Sequence, residues 1–196
     1  MLYLFVIAAA AIIGIAAGRN RKKYSASKEL RFEKTWLAIL AFSLQIISRI
    51  LGAKGIIFAE IIYMLIQAVM IILLMLCFWF NRKHIGLWFV GAGALMNALV
   101  MFANGGRMPV DSESMKRAGI DRLSDALTSS EDLKHVILNE NTRLWFLSDI
   151  IHLPGIIGIG MNVVSIGDLV IAFGLFLLVL EISYVIPQTS ESKKGA

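Results

Sequence analysis

The chain has 196 residues, 58% of them hydrophobic and 17% charged, and a mean hydropathy of +0.74. Soluble domains carry about 45–50% apolar and about 25% charged residues. A water-soluble fold of this size has no way to hide the excess, so the composition points to a bilayer and excludes a disordered chain, a disulfide scaffold and a free cytosolic enzyme.

Five apolar stretches are each read as a crossing, which takes about 20 apolar residues or somewhat fewer at the short end. They cover residues 2–17, 36–51, 55–80, 85–103 and 166–186, with Pro187 suited to the end of the last. The first has no basic residue before it and a strong basic block after it, an order that favours a retained helix over a cleaved signal. Cys77, the single cysteine, sits in an apolar run and reads as a packing residue. Gly91, Gly93 and Gly174 lie inside crossings, where glycine lets helices approach closely.

The net charge is +5 and the isoelectric point is near 9.5. Arg19, Arg21, Lys22, Lys23, Lys28, Arg31 and Lys34 fill the first connection, Arg82 and Lys83 the third, and Lys193 and Lys194 the tail. With five crossings all three lie on one face, which the positive-inside rule makes the cytoplasm. The charge is then a topology signal, and no nucleic-acid partner is expected. The N-terminus is expected outside and the C-terminus in the cytoplasm of a bacterial inner membrane. Trp36, Trp79 and Trp88 fall at the expected cytoplasmic ends, where indole rings favour the interface.

Ionisable groups inside crossings are costly and informative. Arg49 and Glu60 flank the second connection, about one helical turn apart in depth, so an ion pair across the hairpin is expected. Gln45 and Arg49 share one helix face, as do Glu60, Tyr63 and Gln67, and Asn97 adds a polar group to the fourth crossing. Glu181, in the inner third of the fifth crossing, is expected to reach the interface or pair with a basic residue there.

The densest chemistry lies in the polar segment 104–165, expected outside. Asn104-Gly-Gly-Arg-Met-Pro-Val-Asp111 permits a sharp exit from the fourth crossing and sets Arg107 beside exposed backbone N–H groups. Thr128-Ser-Ser-Glu131 fits a capping box before a helix over 132–138, and Asp121 a cap for a helix over 122–127. Pro154, Gly155, Gly158 and Gly160 break the stretch 150–164 into a re-entrant piece. Asp149 and His152 would share a face of a short helix, and Ser165 and Asp168 suit the N-terminus of the fifth crossing. No HExxH or Cys/His array favours a metal, and no GxSxG elbow favours a hydrolase.

Asn104-Gly-Gly-Arg-Met-Pro-Val110, Thr142-Arg-Leu, Leu147-Ser-Asp149-Ile and Ser165-Ile-Gly-Asp168 in this order resemble an uncharacterised bacterial membrane family, domain-of-unknown-function family 5317. The resemblance covers nearly the whole chain. It implies a bacterial inner-membrane protein whose outer motifs act as one unit, and it supplies no substrate, cofactor or catalytic residue.

The sequence therefore predicts an all-α integral membrane protein with five transmembrane helices and a helical extracytoplasmic cap. Residues 1–103 hold four helices, 104–165 the cap, and 166–196 the fifth helix and a cytoplasmic tail. The expected function is binding or accessory: an anionic lipid headgroup, a small ligand or a partner protein held under the cap. Its ligand-binding residues are expected to be Arg49, Glu60, Asn104, Arg107, Arg143, Asp149 and Asp168, with Arg107 and Arg143 contacting an anion. Two alternatives stand beside it. One is a membrane enzyme on a phosphorylated lipid with His135 or His152 as acid–base group. The other is a small transporter with a polar route from Glu60 through Gln67 towards Glu181.

Overall fold

The computed structural model describes residues 2–18, 32–53, 60–119, 135–154 and 163–185. Helices dominate it: α1 (Leu2–Gly18), α2 (Trp36–Ala53), α3 (Glu60–Phe80), α4 (Ile85–Ala103), the short α5 (Ser112–Arg117) and α6 (Ile166–Val185). Three of them, α3, α4 and α6, are long and apolar enough to cross a membrane. Apolar runs in α1 and α2 are shorter, Leu2–Ala16 and Trp36–Ser48. Only 6% of the α3 span Ile61–Phe80 is buried inside the molecule, so its isoleucines and leucines face outward on most sides. A helix that is apolar all round needs an apolar environment beyond its own bundle.

The tightest seam joins α4 to α6. In each helix two glycines stand seven residues apart, two turns along one face, Gly86 and Gly93 against Gly174 and Gly167. A side chain at Gly86 would come within 2.6 Å of the Gly174 carbonyl oxygen, and one at Gly174 within 2.7 Å of the Gly86 carbonyl. A side chain at Gly93 would collide with the Gly167 carbonyl. The two backbones are in contact, antiparallel, as the reading of Gly93 and Gly174 as close-packing sites anticipated. Gly14 of α1 lies against Ser183 and Tyr3 against Asp168, so α1 runs parallel to α6. Gly91 packs on Met75 and Phe78 of α3, antiparallel to α4. One end of the bundle thus gathers the starts of α1, α3 and α6 with the end of α4.

At the opposite end, buried Asn81 ties the α3–α4 turn to the chain before α2. Its Oδ1 accepts from the Glu33 N–H at 2.7 Å, and its Nδ2 donates to the Glu33 carbonyl at 2.7 Å and the Cys77 carbonyl at 2.8 Å. Cys77 is buried beside it, as a packing residue. Glu181, expected to reach the interface or pair with a basic residue there, meets both His84 and the N-terminus of α4. Its Oε1 accepts from the Ile85 N–H at 2.9 Å and the Gly86 N–H at 3.4 Å, and its Oε2 lies 3.3 Å from His84 Nδ1. A carboxylate on unpaired first-turn N–H groups is favoured by the helix dipole. Phe32 stacks on the His84 ring. Trp36, Trp79 and Trp88 are all exposed at this end.

The polar segment between α4 and α6 departs from the helical cap expected of it. Its described parts are mainly strand and turn: β1 (Met108–Val110), β2 (His135–Ile137), a 3-10 turn (Trp145–Leu147), β3 (Ile151–His152) and β4 (Val163–Val164), with α5 capped by Asp111. The predicted helix over 132–138 is corrected by β2, and Asp149 and His152 share no helix, since His152 lies in β3. β1 is buried and pairs in parallel with β2, Met108 opposite His135, while Val110 bridges Asp149 on its other side. β3 and β4 pair antiparallel. Strand pairing wins because the extended backbone of 108–110 finds two partners and satisfies its polar groups on both edges. The proposed caps at Asp121 and Thr128–Glu131, and the glycines at 155, 158 and 160, lie outside the described residues.

The segment packs on one end of the bundle. Leu2, Val164 and Ala172 form one buried cluster, and Val100, Met108 and Leu147 a second. Gly105 and Gly106 take φ of 71° and 82°, so the chain leaves α4 through the left-handed backbone that their sequence suggested.

Candidate functional site

Asp168 organises the capped end. It stands three residues into α6 from Ser165, and the two cap each other: the Asp168 N–H donates to Ser165 Oγ at 3.0 Å, and the Ser165 N–H donates to Asp168 Oδ2 at 3.1 Å. This is a capping box with aspartate in place of glutamate. The other carboxylate oxygen, Oδ1, accepts from the Tyr3 hydroxyl at 2.8 Å and from Asn97 Nδ2 at 2.9 Å. Ser165 Oγ donates to Asn97 Oδ1 at 2.9 Å and closes the ring. One carboxylate therefore joins α1, α4 and α6. Gly167 belongs to the same arrangement, for a side chain there would overlap Asn97 Oδ1.

Asp149 lies close behind. Its backbone is fixed on the outer side of β1, the Asp149 N–H donating to the Pro109 carbonyl and the Asp111 N–H donating to the Asp149 carbonyl, both at 2.9 Å. Its Oδ1 is buried without a hydrogen-bond partner among the described residues. Burial raises its carboxyl to about 7, the neighbouring Asp168 charge adds to the rise, and His135 partly offsets both. Asp149 is thus a carboxyl poised to hold or release a proton near neutrality.

A cavity of about 350 Å³ opens below this cluster. Met70, Ile71, Ala94, Ala98, Met101, Phe102 and Ile171 form its apolar walls. Its polar lining comes from Tyr3, Gln45, Tyr63, Gln67, Asn97, His135 and Asp168, and Gly106 and Met108 close it above. Gln67 Nε2 donates to the Tyr63 hydroxyl at 2.8 Å, while Gln45 Oε1 is buried with no partner among the described residues. The volume and the mostly apolar lining with a few polar groups at one end suit a small-molecule site.

The residues singled out in the sequence divide. Asp149 and Asp168 come together. Asn104 caps α4 and clamps the turn after β2: its Nδ2 donates to the Val100 and Arg143 carbonyls at 2.7 and 2.8 Å, and its Oδ1 accepts from the Arg143 N–H at 3.0 Å. The Arg143 side chain is exposed, and neither Arg143 nor Arg107 lines the cavity. The side chains of Arg49 and Glu60, and with them the expected ion pair, lie outside the described residues. His135 lines the cavity and His152 does not. Tyr3 carries no motif, and its only sequence signal is a polar tip at the start of an otherwise apolar helix.

Residues 29–180 match the model of a family described as "Family of unknown function (DUF5317)". The chain belongs to that family. The match takes in α2 to α4, the strand segment and most of α6, so Asn97, Asp149, Ser165 and Asp168 are all inside it, and Tyr3 is outside. The chain is also similar to an uncharacterized protein of Thermotoga maritima, 30% identical over 107 residues. That alignment takes in 54% of this chain and 57% of the relative, so the chain spans little more than half of the relative's length. No solved structure matches the chain.

Proposed function

We propose that the protein is a membrane-embedded binding protein that holds an amphipathic small molecule in the cavity at the capped end of its bundle. The observation that carries this reading is the cavity itself, apolar along its walls and polar where Asp168, Asn97 and Tyr3 meet at its end. A lipid-like molecule has the same division. The sequence suggested an anionic headgroup under Arg107 and Arg143, but among the described residues the lining offers no arginine, so the site is better suited to the apolar body of the ligand than to a phosphate clamp. For the same reason the enzyme on a phosphorylated lipid is the weaker reading. The carrier reading has Glu181 tied to the α4 N-terminus and α4 and α6 in backbone contact at Gly86, which leaves that seam no polar path.

The membrane setting of this proposal has five crossings, with α1 and α2 as its shorter members, and the capped end outside. Two aromatic zones support it. Trp36, Trp79 and Trp88 are exposed at one end, and Trp145 and Phe146 at the other. Aromatic residues at both interfaces are what a spanning bundle needs. The 19 residues of α4 rise about 28 Å at 1.5 Å each, against a hydrocarbon thickness of about 30 Å.

The test is a cavity-filling substitution. Ala94→Phe puts a ring into the space, and Leu95→Phe puts one on the exposed side of the same helix. Wild-type protein in phosphatidylcholine nanodiscs is expected to bind dodecanol saturably, Ala94→Phe to lose at least about tenfold in affinity, and Leu95→Phe to match the wild type. Equal binding by Ala94→Phe and the wild type overturns the proposal.

A further inference from the structure

Resting on the reading of the cavity as an amphiphile site, we propose that its ligand carries an ammonium head, seated between Asp168 and Gln45. Among the described residues the cavity lining is rich in acceptors and poor in cations. Asp168 takes all its hydrogen bonds from neutral donors, the Tyr3 hydroxyl, the Asn97 amide and the Ser165 N–H, and no basic side chain comes within ion-pairing distance of it among the described residues. Gln45 Oε1, on the cavity wall, is buried and accepts no hydrogen bond among the described residues. Asp149 Oδ1 behind the cluster is a second buried acceptor left without a donor. Among the described basic residues only His135 reaches the lining, while Arg107 and Arg143 stay off it.

A buried acceptor without a donor is costly, and Gln45 Oε1 on the wall beside the Asp168 carboxylate calls for a donor. An ammonium supplies three donors, no acceptor and a positive charge beside the Asp168 carboxylate. A carboxylate or phosphate head would add acceptors to acceptors and a negative charge to Asp168 and Asp149 in a site of low dielectric. A hydroxyl head would satisfy one acceptor and leave the charge uncompensated. The apolar walls, Met70, Ile71, Met101 and Phe102 among them, require an alkyl chain behind the head, so a small hydrophilic amine is excluded. The shared chemistry is an ammonium on an alkyl chain, whether from an amino lipid of the bilayer or from a free long-chain amine.

Calorimetric titration of the full chain in phosphatidylcholine nanodiscs at pH 8 separates the heads. Dodecylamine, dodecanol, dodecanoate and ethanolamine are the probes. Dodecylamine is expected to bind about tenfold tighter than dodecanol, dodecanoate more weakly than dodecanol, and ethanolamine not measurably. Asp168→Asn, which keeps the side-chain shape, removes the advantage of the amine over the alcohol. Gln45→Leu, on α2 and outside the hydrogen bonds of the α6 cap, lowers it about threefold and guards against a folding defect in the first variant. Dodecanoate binding as tightly as dodecylamine, or an amine advantage that survives both substitutions, overturns the ammonium head while leaving the cavity reading intact. If no dodecyl compound binds and Ala94→Phe is indistinguishable from wild type, both fail. A lysophosphatidylethanolamine arm assigns the source: tighter than dodecylamine supports a bilayer lipid, weaker supports a free amine.

Discussion

Asp149 is the side chain with the clearest consequence for behaviour in solution. Its ordinary carboxyl value is 3.8, and the native environment raises it to about 7. Between those values the native state binds more protons than the unfolded chain, so stability falls as pH rises through the window and the loss is complete above about 7. The groups that face it electrostatically are Asp168, which raises it, and His135, which lowers it. Asp149→Asn keeps the shape and removes the titration. Thermal melts of the detergent-solubilised protein from pH 4.5 to 8 are expected to show a falling wild-type Tm and a flat variant that is more stable at pH 8 by a few kcal/mol at most. Parallel slopes for the two proteins would contradict the account. Asn104 gives a simpler expectation. Asn104→Ala removes three hydrogen bonds, one to the Val100 carbonyl of α4 and two that join α4 to the Arg143 turn, and is expected to cost about 2 kcal/mol, measured by denaturant titration, with dodecanol binding retained because the residue does not line the cavity. Part of this chemistry could be read locally: Ser165 and Asp168 are three residues apart, and a cap follows from that spacing alone. The Tyr3 bond to Asp168 spans 165 residues and leaves no local signal. The arginines misled because a basic residue beside glycines looks like an anion site whether or not the fold turns it towards a cavity.

At the scale of elements, the helices were legible and the strands were not. Apolar runs of about 20 residues specify a helix by length and composition, and α3, α4 and α6 follow them closely. β2 has three residues and takes its conformation from pairing with Met108–Val110, twenty-five residues or more away in the chain. A short apolar run of that kind reads as helix or strand equally well until its partner is known. The α4–α6 seam supports a prediction with an internal control. Gly167→Ala must push against Asn97 and the Gly93 carbonyl and is expected to cost about 2–3 kcal/mol in an SDS unfolding titration. Gly119 has φ of 67° and open space around it, so Gly119→Ala is expected to cost only about 1 kcal/mol, the backbone penalty alone. Equal costs would mean that the helices are not in backbone contact.

For the molecule as a whole, the charge and the apolar runs predict which end faces the cytoplasm, and the polar segment marks the end at which the cavity lies. What composition could not show is the cavity between α2, α3, α4 and α6, because its walls are ordinary Met, Ile and Ala residues whose meaning lies only in the gap between them. The proposed threading is tested by an impermeant maleimide on intact cells. In a Cys77→Ala background, Lys116→Cys is expected to label from outside and Lys83→Cys only after lysis. The reverse pattern would invert the orientation of the bundle.

The central claim is that the capped end encloses a ligand. It is tested most directly by a high-resolution structure of the protein extracted in its native membrane into nanodiscs at pH 8. Elongated density is expected inside the cavity, its apolar end between Met70 and Ile71 and its head within hydrogen-bonding distance of Asp168 and Gln45. A cavity closed by its own side chains, or one holding only water beside Asp168, would contradict it.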